Sequence, residues 1–244
     1  ILMYSKFIQK IFFYNTLIFI LFGLLFIFFP SLDIYFSSLF FNGNQFISEQ
    51  YTSIKILRVY LKNLMIIIPI ISLLILLINV INKKQNIRRL INQRTKFALI
   101  GLVVGPILGC GIIANLYFKD TWGRARPVHI EEFGGNKIFT PAFFRSDQCE
   151  KNCSWISGET SAAFSLTVGT ILLKNPIFFL SNLILGLLVF FCRLSMGGHF
   201  FSDNIFAMSF MIYLALLYKH IIYLYFRKKL FYEKSFNNNW RKKK

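Results

Sequence analysis

The chain has 244 residues, of which 55% are hydrophobic and only 16% are charged, and its formal net charge is +18. Soluble domains of this length are far more polar, so the composition favours an integral membrane protein over a soluble globular domain. Four cysteines are too few for a disulfide-rich scaffold. The surplus of Lys and Arg is compatible with nucleic-acid binding, and its distribution along the chain decides that question below.

Six apolar segments predict membrane spans, since about 20 apolar residues cross the hydrocarbon core of a bilayer. In chain order they are residues 11–29, 64–81, 97–118, 158–173, 177–192 and 205–226, followed by a basic tail, 227–244. The fourth segment is short and suits a buried place in a bundle. The third carries glycines whose spacing lets helices approach closely: Gly101, Gly105, Gly109 and Gly111. Because no repeat or second domain is evident, we expect one all-α membrane domain over residues 1–244.

The positive charge is distributed unevenly between the two sides that six spans define. The side with both termini holds 18 of the 28 Lys and Arg and one of the ten acids, a net charge of +17 against +1 on the other side. Cytoplasmic segments carry the excess of Lys and Arg, so both termini and the tail are predicted to be cytoplasmic. The tail then serves topology and attraction to anionic lipid. Nucleic acid is not an expected partner, because the distribution of Lys and Arg along the chain follows the predicted membrane topology.

A polar run, Lys119 to Pro127, begins where the third segment ends and holds three cations. Lys119 and Arg126 are seven residues apart, or two helical turns, so a helix would place both side chains on one face. Two converging cations suit a phosphate group, with lysine as a point charge and arginine as a fork. The alternative is an interfacial collar, in which cations at a helix end extend their charged groups from the membrane surface into water.

Ser157 and Gly158 stand at the start of the fourth segment. A helix N-terminus exposes backbone N–H groups and the positive end of the helix dipole, and together these bind anions. The Ser157-Gly158 pair therefore predicts a second part of an anion-binding site. The alternative is that Ser157 is an ordinary N-cap.

Between the fifth and sixth segments, Gly197-Gly198 precedes His199, and Asp203 follows four residues later. On a helix, His199 and Asp203 share a face. A carboxylate bonded to Nδ1 of an imidazole fixes its tautomer and leaves Nε2 free to attack, as in catalytic triads. The alternative is a His/Asp pair that caps a helix at the membrane edge.

The spacing of these motifs is specific: Lys119, six residues, Arg126-Pro127; then Ser157-Gly158; then Arg193, five residues, His199, three residues, Asp203. This pattern and the six-span layout resemble the type 2 phosphatidic acid phosphatase (PAP2) superfamily of lipid phosphatases. Four stretches are similar to the bacterial lipid A 4'-phosphatases, which act at the periplasmic face of the inner membrane. These are Phe118 to Val128, Phe133 to Phe139, Gln148 to Ser154, and Gly197 to Asp203.

The resemblance implies a metal-independent phosphatase, without cofactor, that removes a phosphate monoester from a membrane lipid through a phosphohistidine. His199 is the implied nucleophile, and Asp203 orients it. The residues implied to bind the phosphate are Lys119, Arg126, Ser157, Gly158 and Arg193. The implied substrate is the 4'-phosphate of lipid A, reached from the bilayer of a bacterial inner membrane by an active site that faces the periplasm.

Two positions depart from the usual motifs of the superfamily. Glu159 stands where a histidine usually serves as general acid. A carboxyl group does that job only if its pKa is raised from about 4.3 towards neutrality, and nearby cations act against such a rise. Glu159 is therefore expected to be either a catalytic acid or a residue that binds substrate or orders the cations. Cys192 replaces a serine, with little expected consequence, since the thiol has a similar size.

Cys149 and Cys153 lie in the predicted outer connection. In a periplasm two such thiols can form a disulfide that closes a small loop beside the site. The alternative is a metal site, but no second pair of ligands lies nearby in the sequence, so no metal is expected.

Other functions fit parts of the pattern. Within the lipid phosphatases, the substrate can instead be undecaprenyl pyrophosphate or phosphatidylglycerophosphate, and a lipid phosphotransferase uses the same motifs. The alternative outside enzymes is a polytopic anion transporter. A transporter places its ionisable residues near the membrane midplane on broken helices, whereas here they gather at one interface.

Overall fold

The computed structural model describes residues 6–85, 91–173 and 175–241, and the side chains as far as residue 227. Within these ranges the chain is helical and forms no β-strand. The α-helices are α1 (Lys6–Phe28), α2 (Ser31–Ser38), α3 (Ile47–Gln50), α4 (Thr52–Lys84), α5 (Gln93–Pro106), α6 (Gly158–Ser165), α7 (Thr167–Thr170), α8 (Pro176–Ser195) and α9 (Phe201–Arg241). Six cations counted as cytoplasmic lie outside the described residues: Arg88, Arg89, Lys174, Lys242, Lys243 and Lys244.

Five helical segments in the described ranges are long and apolar enough to cross a membrane: Lys6–Phe28, Thr52–Lys84, Gln93–Lys119, Pro176–Ser195 and Phe201–Arg227. The predicted fourth span, 158–173, does not form such a helix. It consists of α6 and α7, which are separated at Leu166. This segment is too short and too rich in Gly, Ser and Thr to cross a bilayer on its own hydrophobicity.

Helix α4 begins at Thr52, twelve residues before the predicted span. The apolar run starts only at Leu64 because the first three turns of the helix carry charged side chains. Lys55, Arg58 and Lys62 therefore belong to α4 rather than preceding it. This places Arg58 within reach of the motif residues described below.

The third predicted span continues past α5 as a π-helix, Ile107–Lys119. At three of its four glycines, a neighbouring helix packs so closely that no side chain would fit. A Cβ atom at Gly101 would lie 2.7 Å from the carbonyl oxygen of Val168, and one at Gly105 would lie 2.3 Å from that of Ser165. At Gly109 it would meet the sulfur of Met211 at 2.3 Å. The predicted close packing is thus confirmed for these three, and it fixes α6 and α7 against the third span.

Residue Gly111 is the exception. A Cβ atom there would contact only the carbonyl oxygen of Pro106, at 3.8 Å. The position therefore has room for a side chain, and its glycine does not serve helix packing.

Candidate active site

The run after the third span does not continue as a helix. The π-helix ends at Lys119, and Gly123 turns the chain with φ +68°, where a Cβ atom would lie 1.7 Å from the carbonyl oxygen of Ser146. Arg126 follows in extended backbone, with φ −86° and ψ 156°. The prediction that Lys119 and Arg126 share a helix face is therefore wrong, because no helix connects them.

The two cations nevertheless converge, on Asn152. Lys119 Nζ donates to Asn152 Oδ1 at 3.0 Å, and Arg126 Nη2 donates to the same oxygen at 2.8 Å. Arg126 also donates twice to the backbone carbonyl of Asn152, at 2.8 and 3.2 Å. A neutral amide thus holds two positive charges close together.

Asn152 lies in the short loop between Cys149 and Cys153, whose sulfur atoms form a disulfide in the structure, with a Cα–Cα distance of 5.6 Å. Its backbone has φ +54°, in the left-handed region that asparagine tolerates better than most residues. The loop presents both the side-chain oxygen and the carbonyl of Asn152 to the cations. Asn152 had no predicted role, although its place between two cysteines was a usable signal.

The start of α6 lies beside this pair. Ser157 is buried, and its hydroxyl accepts from the N–H of Thr160 at 3.4 Å and donates to Thr160 Oγ1 at 2.9 Å. The hydroxyl thus makes the N-cap interaction that was the alternative to phosphate binding. A Cβ atom at Gly158 would lie 3.0 Å from Lys119 Nζ, so glycine lets the ammonium reach the helix N-terminus, where first-turn N–H groups have no intrahelical acceptor.

Arg193 lies in the last turn of α8 and is 5% exposed. Its Nη1 lies 3.5 Å from Oε1 of Glu159, and a Cβ atom at Gly198 would lie 2.3 Å from its Nη2. Among the described side chains, its buried Nε is one of the donors that have no hydrogen-bond partner. A buried guanidinium N–H without an acceptor is costly, and an anion in the site would supply one.

Glu159 is also bound by Arg58 of α4. Arg58 Nε donates to both carboxylate oxygens, at 2.9 and 3.1 Å, and Nη2 also donates to Oε1. Two arginines around one carboxylate favour its charged form, whereas a general acid must carry a proton. The geometry thus favours the second of the two roles expected for Glu159, the ordering of cations.

His199 is 1% exposed, and its Nδ1 lies 2.7 Å from the backbone carbonyl of Ser154. A carbonyl oxygen only accepts hydrogen bonds, so Nδ1 carries the proton and Nε2 carries the lone pair. Burial, together with the charges of Arg193, Lys119 and Arg126, holds the pKa of His199 well below its ordinary value. The imidazole is therefore neutral at pH 7, in the tautomer that leaves Nε2 nucleophilic.

Asp203 does not make the direct bond to His199 that the spacing suggested. Its Oδ2 is 3.7 Å from Nδ1, beyond hydrogen-bond distance. Instead Oδ2 accepts from Ser154 Oγ at 2.5 Å and from the N–H of Phe200 at 2.8 Å. Asp203 thus positions His199 through Ser154, the residue whose carbonyl binds Nδ1, and its charge stays near the ring.

Arg124 is fully buried and joins two carboxylates. Its Nη1 donates to Asp203 Oδ1 at 2.6 Å, and its Nη2 donates to Asp33 Oδ2 at 2.8 Å. Its guanidinium carbon lies 4.2 Å from the ring centroid of Phe200. Asp33, from α2, also accepts from the N–H of Ser202 at 2.9 Å, in the first turn of α9. Arg124 is therefore part of the support of Asp203, and not a cation of an interfacial collar.

The structure brings the predicted residues to one end of the helices: Lys119, Arg126, Ser157, Gly158, Glu159, Arg193, His199 and Asp203. A cavity of about 650 Å³ opens beside Lys119, Asn152 and Glu159. Elsewhere its wall is mainly apolar and comes from α4, the π-helix and α6, including Met65, Ile66, Ile107 and Ala162. Such a cavity combines a polar, charged end with a hydrophobic end.

Comparison with known proteins gives a consistent result. Residues 97–227 match the PAP2 superfamily. The chain is 43% identical over 114 residues to a lipid A 4'-phosphatase of Francisella tularensis subsp. novicida, covering 45% of this chain and 50% of the relative. It is 33% identical over 114 residues to a lipid A 4'-phosphatase of Rhizobium leguminosarum, covering 46% and 47%. The chain thus spans about half the length of the curated relatives it matches, and no solved structure matches it.

Proposed function

Because the chain belongs to the PAP2 superfamily, we propose that it is a membrane phosphatase that removes a phosphate monoester from a lipid. The observation that carries this proposal is the environment of His199. A buried, neutral imidazole has its proton on Nδ1, and three cations act on it electrostatically. A nucleophilic nitrogen beside converging cations is the arrangement that attack on a phosphate requires.

The chemistry follows from these groups. Nε2 of His199 attacks phosphorus in line, the bond from phosphorus to the lipid oxygen breaks, and the released alkoxide takes a proton from water. The phosphorylated imidazole is positive, and the nearby Asp203 carboxylate and the Ser154 carbonyl stabilise it. Water then attacks phosphorus, the N–P bond breaks, and His199 and inorganic phosphate are released.

Positive charge supplies most of the catalytic stabilisation in this mechanism. Lys119, Arg126 and Arg193 offset the charge that the equatorial phosphate oxygens carry in the transition state, and the first-turn N–H groups of α6 add to them. Preorganised donors of this kind do the work that a metal ion does in other phosphatases, so no metal enters the proposed steps.

The proposed substrate is the 4'-phosphate of lipid A. Two observations support it: the names of the relatives and the cavity, whose apolar wall suits an acyl chain next to the cation cluster. The cations and His199 gather at one end of the bundle rather than along a path through it, which favours an enzyme over an anion transporter.

The proposed architecture is a single inner-membrane domain of six spans, with 158–173 as the fourth. Both termini are cytoplasmic and the site faces the periplasm. The positions of the site residues support this alternation, because they lie at the starts of α4, α6 and α9 and at the ends of the π-helix and α8. Antiparallel neighbours bring such ends together on one face.

Membrane topology is the first test. An impermeant thiol reagent is expected to label Asn136→Cys in intact spheroplasts and to label Gln85→Cys only after the membrane is permeabilised. Both positions are exposed in the structure. The unsubstituted protein gives the background from its own cysteines. The opposite labelling pattern would place the site in the cytoplasm and exclude a periplasmic substrate.

Hydrolysis is the second test. Purified protein in mixed micelles is expected to convert lipid A into a species lighter by one phosphate, with the loss located at the 4' position by mass spectrometry. Undecaprenyl pyrophosphate and phosphatidylglycerophosphate serve as competing substrates. Faster phosphate release from either lipid would assign that lipid, instead of lipid A, as the substrate of this lipid phosphatase. Transfer of the phosphate to a second lipid, with no free phosphate, would indicate a phosphotransferase.

A further inference from the structure

Arg58 lies outside the matched residues 97–227 and outside all three motifs, yet it binds a motif residue at two points. Its Nε and Nη2 both donate to the carboxylate of Glu159, across 101 residues of sequence. Oε1 of that carboxylate also lies 3.5 Å from Arg193 Nη1. Glu159 is thus shared between an arginine of α4 and an arginine of the proposed phosphate site.

A carboxylate at this position creates an electrostatic problem. The substrate is an anion, and Glu159 lies against one of the cations proposed to bind it. Alone, Glu159 would offset the charge of Arg193 and repel the phosphate. With Arg58 bound to it, the carboxylate is neutralised and Lys119, Arg126 and Arg193 remain as net positive charge. The side chains of Arg58 and Glu159 are 32% and 22% exposed, so water screens the pair only in part.

The same contacts fix the orientation of Arg193. One of its terminal nitrogens faces Glu159 and the other lies against Gly198, next to His199. Its Nε keeps a donor for which the described residues supply no acceptor. A guanidinium with an ion-pair contact at one terminal nitrogen and close packing at the other is positioned before the substrate arrives, which reduces the entropy lost on binding.

We propose that Arg58 is a positioning residue of the phosphate site, which acts through Glu159 to orient Arg193 and to offset the carboxylate charge. This inference rests on the proposed function. Under it, Glu159 is a structural anion of the site and not its proton donor. Removal of Arg58 is expected to weaken phosphate binding mainly because the carboxylate of Glu159 is left without its ion-pair partner.

The test measures binding of inorganic phosphate to the full chain in detergent, by calorimetry, with lipid phosphate hydrolysis in parallel. Arg58→Ala is expected to weaken phosphate binding about tenfold, which corresponds to about 1.4 kcal/mol. The double variant Arg58→Ala/Glu159→Gln is expected to recover most of that affinity, since the uncompensated charge is gone. Arg58→Lys, which keeps the charge and loses the fork, is expected to fall between.

A matched control lies one turn away on the same helix. Lys55 forms an exposed ion pair with Glu49 at 2.6 Å, so Lys55→Ala removes a cation from α4 without touching the site and is expected to leave phosphate affinity unchanged. A double variant as weak as Arg58→Ala would mean that the pair only supports the fold. Equal affinity in Arg58→Ala and the unsubstituted protein would overturn the proposal.

The pH dependence of hydrolysis separates the two roles of Glu159. As a positioning residue, Glu159→Gln is expected to change KM and to keep the shape of the pH–rate profile. Loss of the alkaline limb of that profile, with phosphate binding intact and no recovery in the double variant, would establish a general acid and overturn the proposal. An unsubstituted protein that neither binds phosphate nor hydrolyses lipid phosphates would contradict the proposed function itself.

Discussion

Replacing His199 with alanine is expected to abolish hydrolysis, because the proposed mechanism forms its covalent intermediate on Nε2 of this residue. Phosphoryl transfer to the protein then has no acceptor. With a lipid substrate that carries a radioactive phosphate, the unsubstituted protein should show a transient label that survives alkaline quenching, since phosphohistidine is labile in acid. His199→Ala should show none. Both turnover and label are therefore lost together.

A second histidine provides the control for that experiment. His129 lies in the outer connection, is exposed, and follows the Arg126-Pro127 step. His129→Ala is expected to keep both turnover and label. Full hydrolysis by His199→Ala would refute the covalent mechanism. A label retained in His199→Ala would show that another residue is the nucleophile.

Replacing Arg124 with methionine is expected to lower the free energy of unfolding by about 3–5 kcal/mol, the usual cost of removing one partner from a buried ion pair. Arg124 is fully buried between Asp33 and Asp203, so its loss leaves two carboxylates close together without a cation. The measurement is thermal or denaturant unfolding of the purified protein in detergent. Activity should fall as well, since Asp203 supports His199.

Two further variants isolate the cause of that loss. Arg126→Met removes a cation that binds only the loop residue Asn152 among the described residues, and it should reduce activity with little effect on stability. The double variant Arg124→Met/Asp33→Asn should recover part of the lost stability, because one of the two unpaired charges is removed. Equal stability of Arg124→Met and the unsubstituted protein would show that the buried network contributes nothing.

The sequence predicted the residues that recur at short, fixed spacings. Lys119, Arg126, Arg193, His199 and Asp203 were each placed by a motif of a few residues at the end of an apolar segment, and the structure brings them together. Spacing also predicted a direct bond from Asp203 to His199. That detail was wrong in the structure, because Ser154, from the connection before α6, places its carbonyl at Nδ1 of the ring instead.

The residues that the sequence did not predict share another property: their partners are far away in the chain. Arg58 binds a carboxylate 101 residues away, and Arg124 binds one 91 residues away. No local period or motif encodes such a pair. Asp33 had no signal at all, since it lies in a mixed aromatic stretch and gains its role only when α2 packs at the start of α9. Five of the six predicted spans lie in helices long and apolar enough to cross a membrane, whereas the predicted fourth, 158–173, forms no such helix.

The short helices α6 and α7 have a consequence for how the chain enters the membrane. Nearly all of their side chains are buried by neighbouring helices. Several of these side chains carry hydroxyl groups: Thr160, Ser161, Ser165 and Thr167. In contact with lipid tails those groups would gain little from insertion. We therefore expect this segment to remain outside the hydrocarbon during synthesis until α8 and α9 emerge from the ribosome. The end of the bundle with the proposed phosphate site would then assemble last and as a unit.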